Sequence, residues 1–205
     1  MMVRDGTGEW AGSELGMWLA RLLRTDPLRW HLLGVIQGLN LPDCWIAAGF
    51  VRNAVWDALH GRHPTPLSTD VDVIYFDPLR TDPSADRAVE QALHLREPHI
   101  HWSVKNQARM HGRNGDAPYA SAVDAMRFWP ETATAIAVRR GDGMRAPDAE
   151  LDITAPFGLG DLLALLLRPT PSFTGDKRSL FDARVASKNW LYHWPKLIIC
   201  DPDQP

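Results

Sequence analysis

Two neighbouring stretches constrain this chain most: "AAGFVRNAVWDALHG" at residues 47–61 and "DVDVIYFD" at residues 70–77. The first reads as a small-residue turn opening directly into a helix. Gly49 sits where a strand must turn, and glycine accepts φ > 0 and lets a ligand approach the backbone closely. Beyond it, Val51, Ala54, Val55, Ala58 and Leu59 recur at helical spacing. The first N–H groups of such a helix have no partner within it, and with the helix dipole they suit phosphate oxygens. The second stretch is an apolar strand that begins with two acids. Asp70 and Asp72 are two residues apart, so on a strand their side chains leave the same face. Carboxylates held close repel one another unless a cation sits between them, and magnesium prefers such oxygen ligands. The plainer alternatives are a glycine that only tightens a turn and acids that face water or cap something local. Asp77, before Pro78, fits that plainer description as a turn or cap residue.

The pattern around this pair is of mixed type. Residues 13–24 bring Leu15, Trp18, Leu19, Leu22 and Leu23 to one helical face, with Ser13 as a cap. Asp26-Pro27 reads as an N-cap followed by proline in the first turn of a second helix. "CWIAA" at residues 44–48 reads as a strand, and so does 71–76. Residues 84–97 form an amphipathic helix, "HIHWSV" at 99–104 a strand turning into a helix from Lys105, and 121–129 a short helix. Residues 132–140 and 150–156 are β-like around a connection expected to be exposed, 158–169 is helical up to Pro169, and 176–194 is a final helix. The expected fold is α+β, with α/β-like alternation: a small mixed sheet flanked by helices at both ends. With no linker in the pattern, residues 1–205 are read as one domain: N-terminal helices over 1–40, a core over 41–155 and C-terminal helices over 156–205.

Composition excludes more than it specifies. A 45% hydrophobic and 23% charged chain is ordinary for a globular protein, and a net charge of −3 makes no case for non-specific nucleic-acid binding. Cys44 and Cys200 are too few for a disulfide framework, and Cys44 reads as a small buried hydrophobe. The N-terminal residues lack an apolar signal core and no apolar run reaches membrane-span length, so the expectation is a cytoplasmic protein without membrane contact.

With the turn, the helix and the acid pair in place, the chain resembles the head of the DNA polymerase β-like nucleotidyltransferase superfamily. It is similar to the tRNA CCA-adding and poly(A) polymerase head, in which Gly-Gly-x-Val-Arg-Asp precedes an Asp-x-Asp strand. More closely it resembles a group of small bacterial nucleotidyltransferase family proteins. That likeness extends through "WSVKNQARMH" (102–111), "WPETATAIAVR" (129–139) and "APFGLGDLLALLLRPTP" (155–171). The resemblance implies that Gly49 and the helix start after it hold a nucleoside triphosphate, and that Asp70 and Asp72 ligate magnesium, with manganese as a substitute. The implied reaction moves a nucleoside monophosphate to a hydroxyl acceptor and releases pyrophosphate, by two-metal phosphoryl transfer. These 205 residues are expected to be too few to carry the full body and tail domains with which CCA-adding enzymes grip tRNA. A small molecule or a protein is therefore the favoured acceptor over RNA.

The departures from the family pattern set the remaining expectations. Ala48 stands where the pattern has glycine, and Phe50 supplies no hydroxyl. Arg52 matches Val-Arg and is expected either to contact phosphate or to stitch the head together by ion pairs. Asn53 replaces an acid. With Gly49, the residues Phe50, Arg52 and Asn53 form the expected nucleotide-binding turn. A third carboxylate belongs on a strand beside the acid pair; Ser103 is a poor substitute, and Asp152 in "ELDITAP" has the apolar-acid-apolar setting of a strand acid. Asp152 is accordingly the expected third catalytic carboxylate, the alternative being an exposed edge-strand residue. Lys105, Asn106 and Arg109 are expected on one helical face as further nucleotide contacts, or as a solvated polar face. Thr132 and Thr134 fit ligand or structural roles. His94, His99, His101 and His111 lack the thiolates and spacing of a common zinc site. Without a third acid at the site, nucleotide binding with weak or absent transferase chemistry is expected; the alternative to a transferase is a nucleotide-binding or interaction module with a degenerate active site.

Overall fold

A computed structural model describes residues 13–63, 67, 69–141 and 151–200. The N-terminal helices form where their caps predict. In α1 (Glu14–Arg24) the Ser13 hydroxyl accepts from Gly16 N–H at 3.0 Å, and in α2 (Pro27–Gln37) the Asp26 carboxylate accepts from Arg29 N–H at 3.0 Å. These bonds satisfy orphan amides of each first turn. Arg29 also pairs with Asp26, and its Nε donates 3.0 Å to the Phe50 carbonyl. The N-terminal helices thereby hold the start of α3 (Gly49–Leu59).

The central sheet comprises β1 (Trp45–Ala47), β2 (Val71–Tyr75), β3 (Trp102–Asn106), β4 (Ala137–Arg140) and β5 (Leu151–Thr154), in the order β3-β2-β1-β4-β5. Only β2 and β3 are parallel, and α4 (Pro83–Arg96) connects them. Strand alternation gives the sheet two distinct faces. Ile46, Val71, Val73, Tyr75, Val104, Val138 and Ile153 join the main core with the helices, including Phe50, Val51 and Val55 of α3. Trp45, Ala47, Ile74 and Ala137 face the other way, onto Met126 and Ala122 of α6 (Ala122–Met126). The α+β class and the mixed sheet flanked by helices are as the sequence implies.

Several boundaries differ, each because a long-range contact overrides local pattern. The strand expected to end at Val104 continues to Asn106, since β2 offers partners up to Tyr75↔Asn106. Lys105 and Asn106 are therefore strand residues, and Arg109 lies in a 3-10 turn (Gln107–Arg109) ahead of α5 (Met110–Asn114); the three do not share a helical face. Thr132–Thr134 is a 3-10 turn rather than the start of β4. The expected helix at 158–169 shrinks to α7 (Gly160–Leu163), because the chain reverses at Leu165 (φ 59°) into β6 (Leu166–Leu167). That strand pairs in parallel with β7 (Ile198–Ile199), an element without a sequence signal of its own. The last helix divides at Asn189 (φ 52°) into α8 (Arg178–Lys188) and α9 (Trp190–His193). The loop expected between the last two strands lies, from residue 142, outside the described residues.

Candidate active site

The site assembles where β1 runs into α3. Ala48, between them, carries the backbone irregularity: φ 52° and ψ −121°, a conformation that belongs almost entirely to glycine. The sequence points to Gly49 as the residue that needs conformational freedom, but the positive φ falls one residue earlier. Two constraints fix Ala48: its N–H donates 2.9 Å to the Ile136 carbonyl on the sheet side, and its carbonyl accepts from Val51 N–H and Arg52 N–H on the helix side. No side chain caps α3, which leaves the amides of Gly49 and Phe50 as its open donors.

Gly49 itself has no positive φ, and its missing side chain faces polar groups at ordinary contact distance. A Cβ there would lie 3.4 Å from Thr69 Oγ1, 3.5 Å from Arg52 Nη2 and 3.7 Å from Asn53 Nδ2. The missing side chain leaves a cradle surrounded by hydrogen-bond donors. Phe50 contributes only backbone, since its ring is buried in the main core.

Asp72 leaves the second face of the sheet, with Ile74, while Asp70 is exposed just before β2 begins. Both line one cavity of about 530 Å³, together with Gly49, Arg52, Asn53 and Ser103. The Asp72 carboxyl is held above the usual carboxylate range, first by burial and further by repulsion from Asp70. The Ser103 hydroxyl bond and the Arg52 and Arg184 guanidiniums oppose that shift.

Arg52 is almost fully buried. Its Nη1 donates 2.9 Å to Thr134 Oγ1 and its Nη2 2.9 Å to Asn53 Oδ1, while its Nε has no partner. The guanidinium lies against the Trp56 and Trp190 rings, at 4.8 and 4.5 Å from their centroids. Burial lowers its pKa to about 10, with Glu131 opposing the change.

Other expected site residues are elsewhere or differently engaged. Asp152 sits on the edge strand β5, with β1 and β4 between it and β2, and its carboxylate accepts 2.9 Å from Arg139 Nε. It does not join Asp70 and Asp72. The strand beside β2 instead presents Ser103, the direct partner of Asp72. Asn106 is fully buried and makes four hydrogen bonds with the Asp77–Arg80 turn and Ala108, so it braces structure and does not line the cavity. Arg109 pairs with the buried Asp86, also away from the cavity. Lys105 does line it, but its ammonium donates 2.9 Å to Glu90 and 2.9 Å to the Val104 carbonyl.

Sequence reasoning missed the far wall. Trp129 and Pro130 line it, with Arg184 and Lys188 of α8 and Trp190 and His193 of α9. Nothing in the local pattern of residues 176–194 marks that helix as part of a site, although its break before Trp190 is what turns the indole inward. Among the described residues, no group of three or more His, Cys, Asp or Glu is arranged to hold a metal ion. None of the described helices is long and apolar enough to cross a membrane.

A five-stranded mixed sheet with a strand-turn-helix and an acid pair on the adjoining strand defines the polymerase β-like nucleotidyltransferase class. Residues 34–199 match the family model described as Nucleotidyltransferase, and the chain belongs to that family. An NMR structure described as revealing a CCA-adding enzyme head domain is similar to it, with 34% identity and a TM-score of 0.79 over 89% of this chain and 94% of that one. No curated protein matches it significantly.

Proposed function

We propose that this protein transfers a nucleoside monophosphate from a nucleoside triphosphate to a hydroxyl acceptor, releasing pyrophosphate, in a reaction that depends on magnesium or manganese. One observation carries the reading: the acid pair and the uncapped start of α3 face the same cavity. A magnesium triphosphate is the ligand that satisfies both.

The donor set fits a hard divalent ion. Asp70 and Asp72 offer oxygen ligands, and the raised carboxyl of Asp72 marks a charge that burial disfavours until a cation compensates it. Asp70 and Asp72 would hold the ion, with water and phosphate oxygens completing its shell. When bound, it neutralises charge on the transferring phosphoryl group. The amides of Gly49 and Phe50 would orient the phosphates in the cradle that glycine leaves open, with Arg52 supplying fixed positive charge.

A second reading is a nucleotide-binding module with a degenerate active site. It is favoured by Ser103, which stands on the strand beside Asp72 where a third carboxylate would complete the metal site. Magnesium-dependent binding of ATP, CTP, GTP and UTP, measured for the wild type and the Asp70→Asn/Asp72→Asn double variant, tests the site. Nucleotide binding unchanged in the double variant would sink the metal-site proposal. Pyrophosphate release by the wild type, lost in that variant, supports the transferase; magnesium-dependent binding without pyrophosphate release across a broad acceptor set supports the binding module.

A further inference from the structure

The far wall of the cavity carries a charge arrangement that the acid pair does not explain. Glu131 is completely buried, and its Oε1 accepts 2.7 Å from Arg184 Nε while its Oε2 has no partner. That bond fixes Arg184 by its inner nitrogen and leaves the outer edge of the guanidinium available to the cavity it lines. About a third of the Arg184 side chain is exposed, and its guanidinium lies 5.6 Å from the centroid of the Trp190 ring. Arg52 reaches the same indole at 4.5 Å. Two guanidiniums thus gather at Trp190, with the buried carboxylate of Glu131 bonded to Arg184 and bearing electrostatically on Arg52.

Arg52 and Arg184 also both bear electrostatically on Asp72. With the acid pair free, Asp72 supplies the second negative charge. With a divalent ion on the acid pair, Asp72 no longer offsets the two guanidiniums, and Arg52 keeps a buried Nε with no acceptor. A buried cation short of acceptors is costly, and an anion with several oxygens relieves it.

We propose that Arg184, oriented by Glu131, joins Arg52 in a clamp that binds the phosphate chain of the nucleotide. This rests on the nucleotidyltransferase reading and adds a phosphate ligand from the C-terminal helix α8. Glu131 acts as a positioning residue: it holds the fork of Arg184 toward the cavity without touching the ligand.

The test is calorimetric titration of the full chain with inorganic tripolyphosphate in the presence of magnesium. Arg184→Gln is expected to weaken tripolyphosphate binding tenfold or more. Arg184→Lys keeps the charge but not the fork and is expected to weaken it about threefold or more. A purely structural Glu131–Arg184 pair would lower Tm in either variant while leaving the affinity of the folded protein unchanged, and that outcome overturns the clamp. Should Arg184→Gln fail to fold, the lysine variant decides on the same criterion. Wild-type binding of a nucleoside triphosphate without binding of tripolyphosphate also overturns the clamp. If the wild type binds neither tripolyphosphate nor any of the four nucleoside triphosphates, the nucleotidyltransferase reading itself fails.

Discussion

Asp72 on β2 and Ser103 on β3 are direct register partners, and the Ser103 hydroxyl favours the ionised form of the Asp72 carboxyl against burial. A hydroxyl here stabilises the ionised acid without adding negative charge. The acid pair stands at the start of β2, while Asp152 serves Arg139 at the opposite edge of the sheet.

Asp152→Asn is expected to leave magnesium-dependent nucleotide binding unchanged and to shift stability by no more than about 1 kcal/mol, since the Arg139 pair is partly exposed. Parallel nucleotide titration and urea denaturation check both parts. A severalfold loss of nucleotide affinity would return Asp152 to the site.

Asp72→Asn is expected to raise Tm near neutral pH when metal is chelated. Burial, with added repulsion from Asp70, holds the folded-state pKa of Asp72 above its unfolded value. The folded protein therefore binds that proton more tightly than the unfolded chain does. The associated stability is present below the unfolded pKa and is lost as pH rises through the folded one. Asparagine carries no charge at any pH and escapes that loss, so its advantage shrinks as the solution is acidified toward the ordinary carboxyl range. Thermal melts across that range decide it; an advantage that grows on acidification contradicts the assignment.

Ala48→Gly is expected to stabilise the fold by about 1 kcal/mol. Backbone strain of the kind seen at φ 52° and ψ −121° costs roughly 1–3 kcal/mol, and glycine's added unfolded-state entropy returns part of the gain. Urea denaturation at constant m-value measures it, and a destabilised variant would mean that the alanine methyl contributes more by packing than its backbone costs.

Asn106→Ala is expected to cost about 3 kcal/mol of stability, because it removes four buried hydrogen bonds and strands the Asp77 and Ala108 amides. Nucleotide affinity of the folded variant should stay at the wild-type level. Reduced affinity without loss of stability would assign Asn106 to ligand binding instead.

The parts of the fold that depend on near neighbours were legible in the sequence. Ser13, Asp26 and Pro27 announce α1 and α2 because caps act within one turn. Asp70 and Asp72 fall two apart at the start of β2, with Asp70 just ahead of the strand, and both line the one cavity that their spacing suggests. The turn before α3 was also visible, although the strain lay on Ala48 because β4-side pairing at Ile136 and the helix start compete for that one residue. Lys105, Asn106 and Arg109 were misread because helical spacing is a local signal, whereas parallel pairing with β2 is not.

By itself, then, the sequence determined the α+β class, the turn-helix and the acid pair, all set by interactions among residues close along the chain. Tertiary structure alone decided which side chains share the cavity. Sheet order moved Asp152 to the far edge, and the αL break at Asn189 brought Trp190 to Arg52 across 138 residues of chain. Arg184 met Glu131 in the same way, 53 residues apart. Such pairings form only when loop closure is repaid by burial of the whole core, and no local pattern records them.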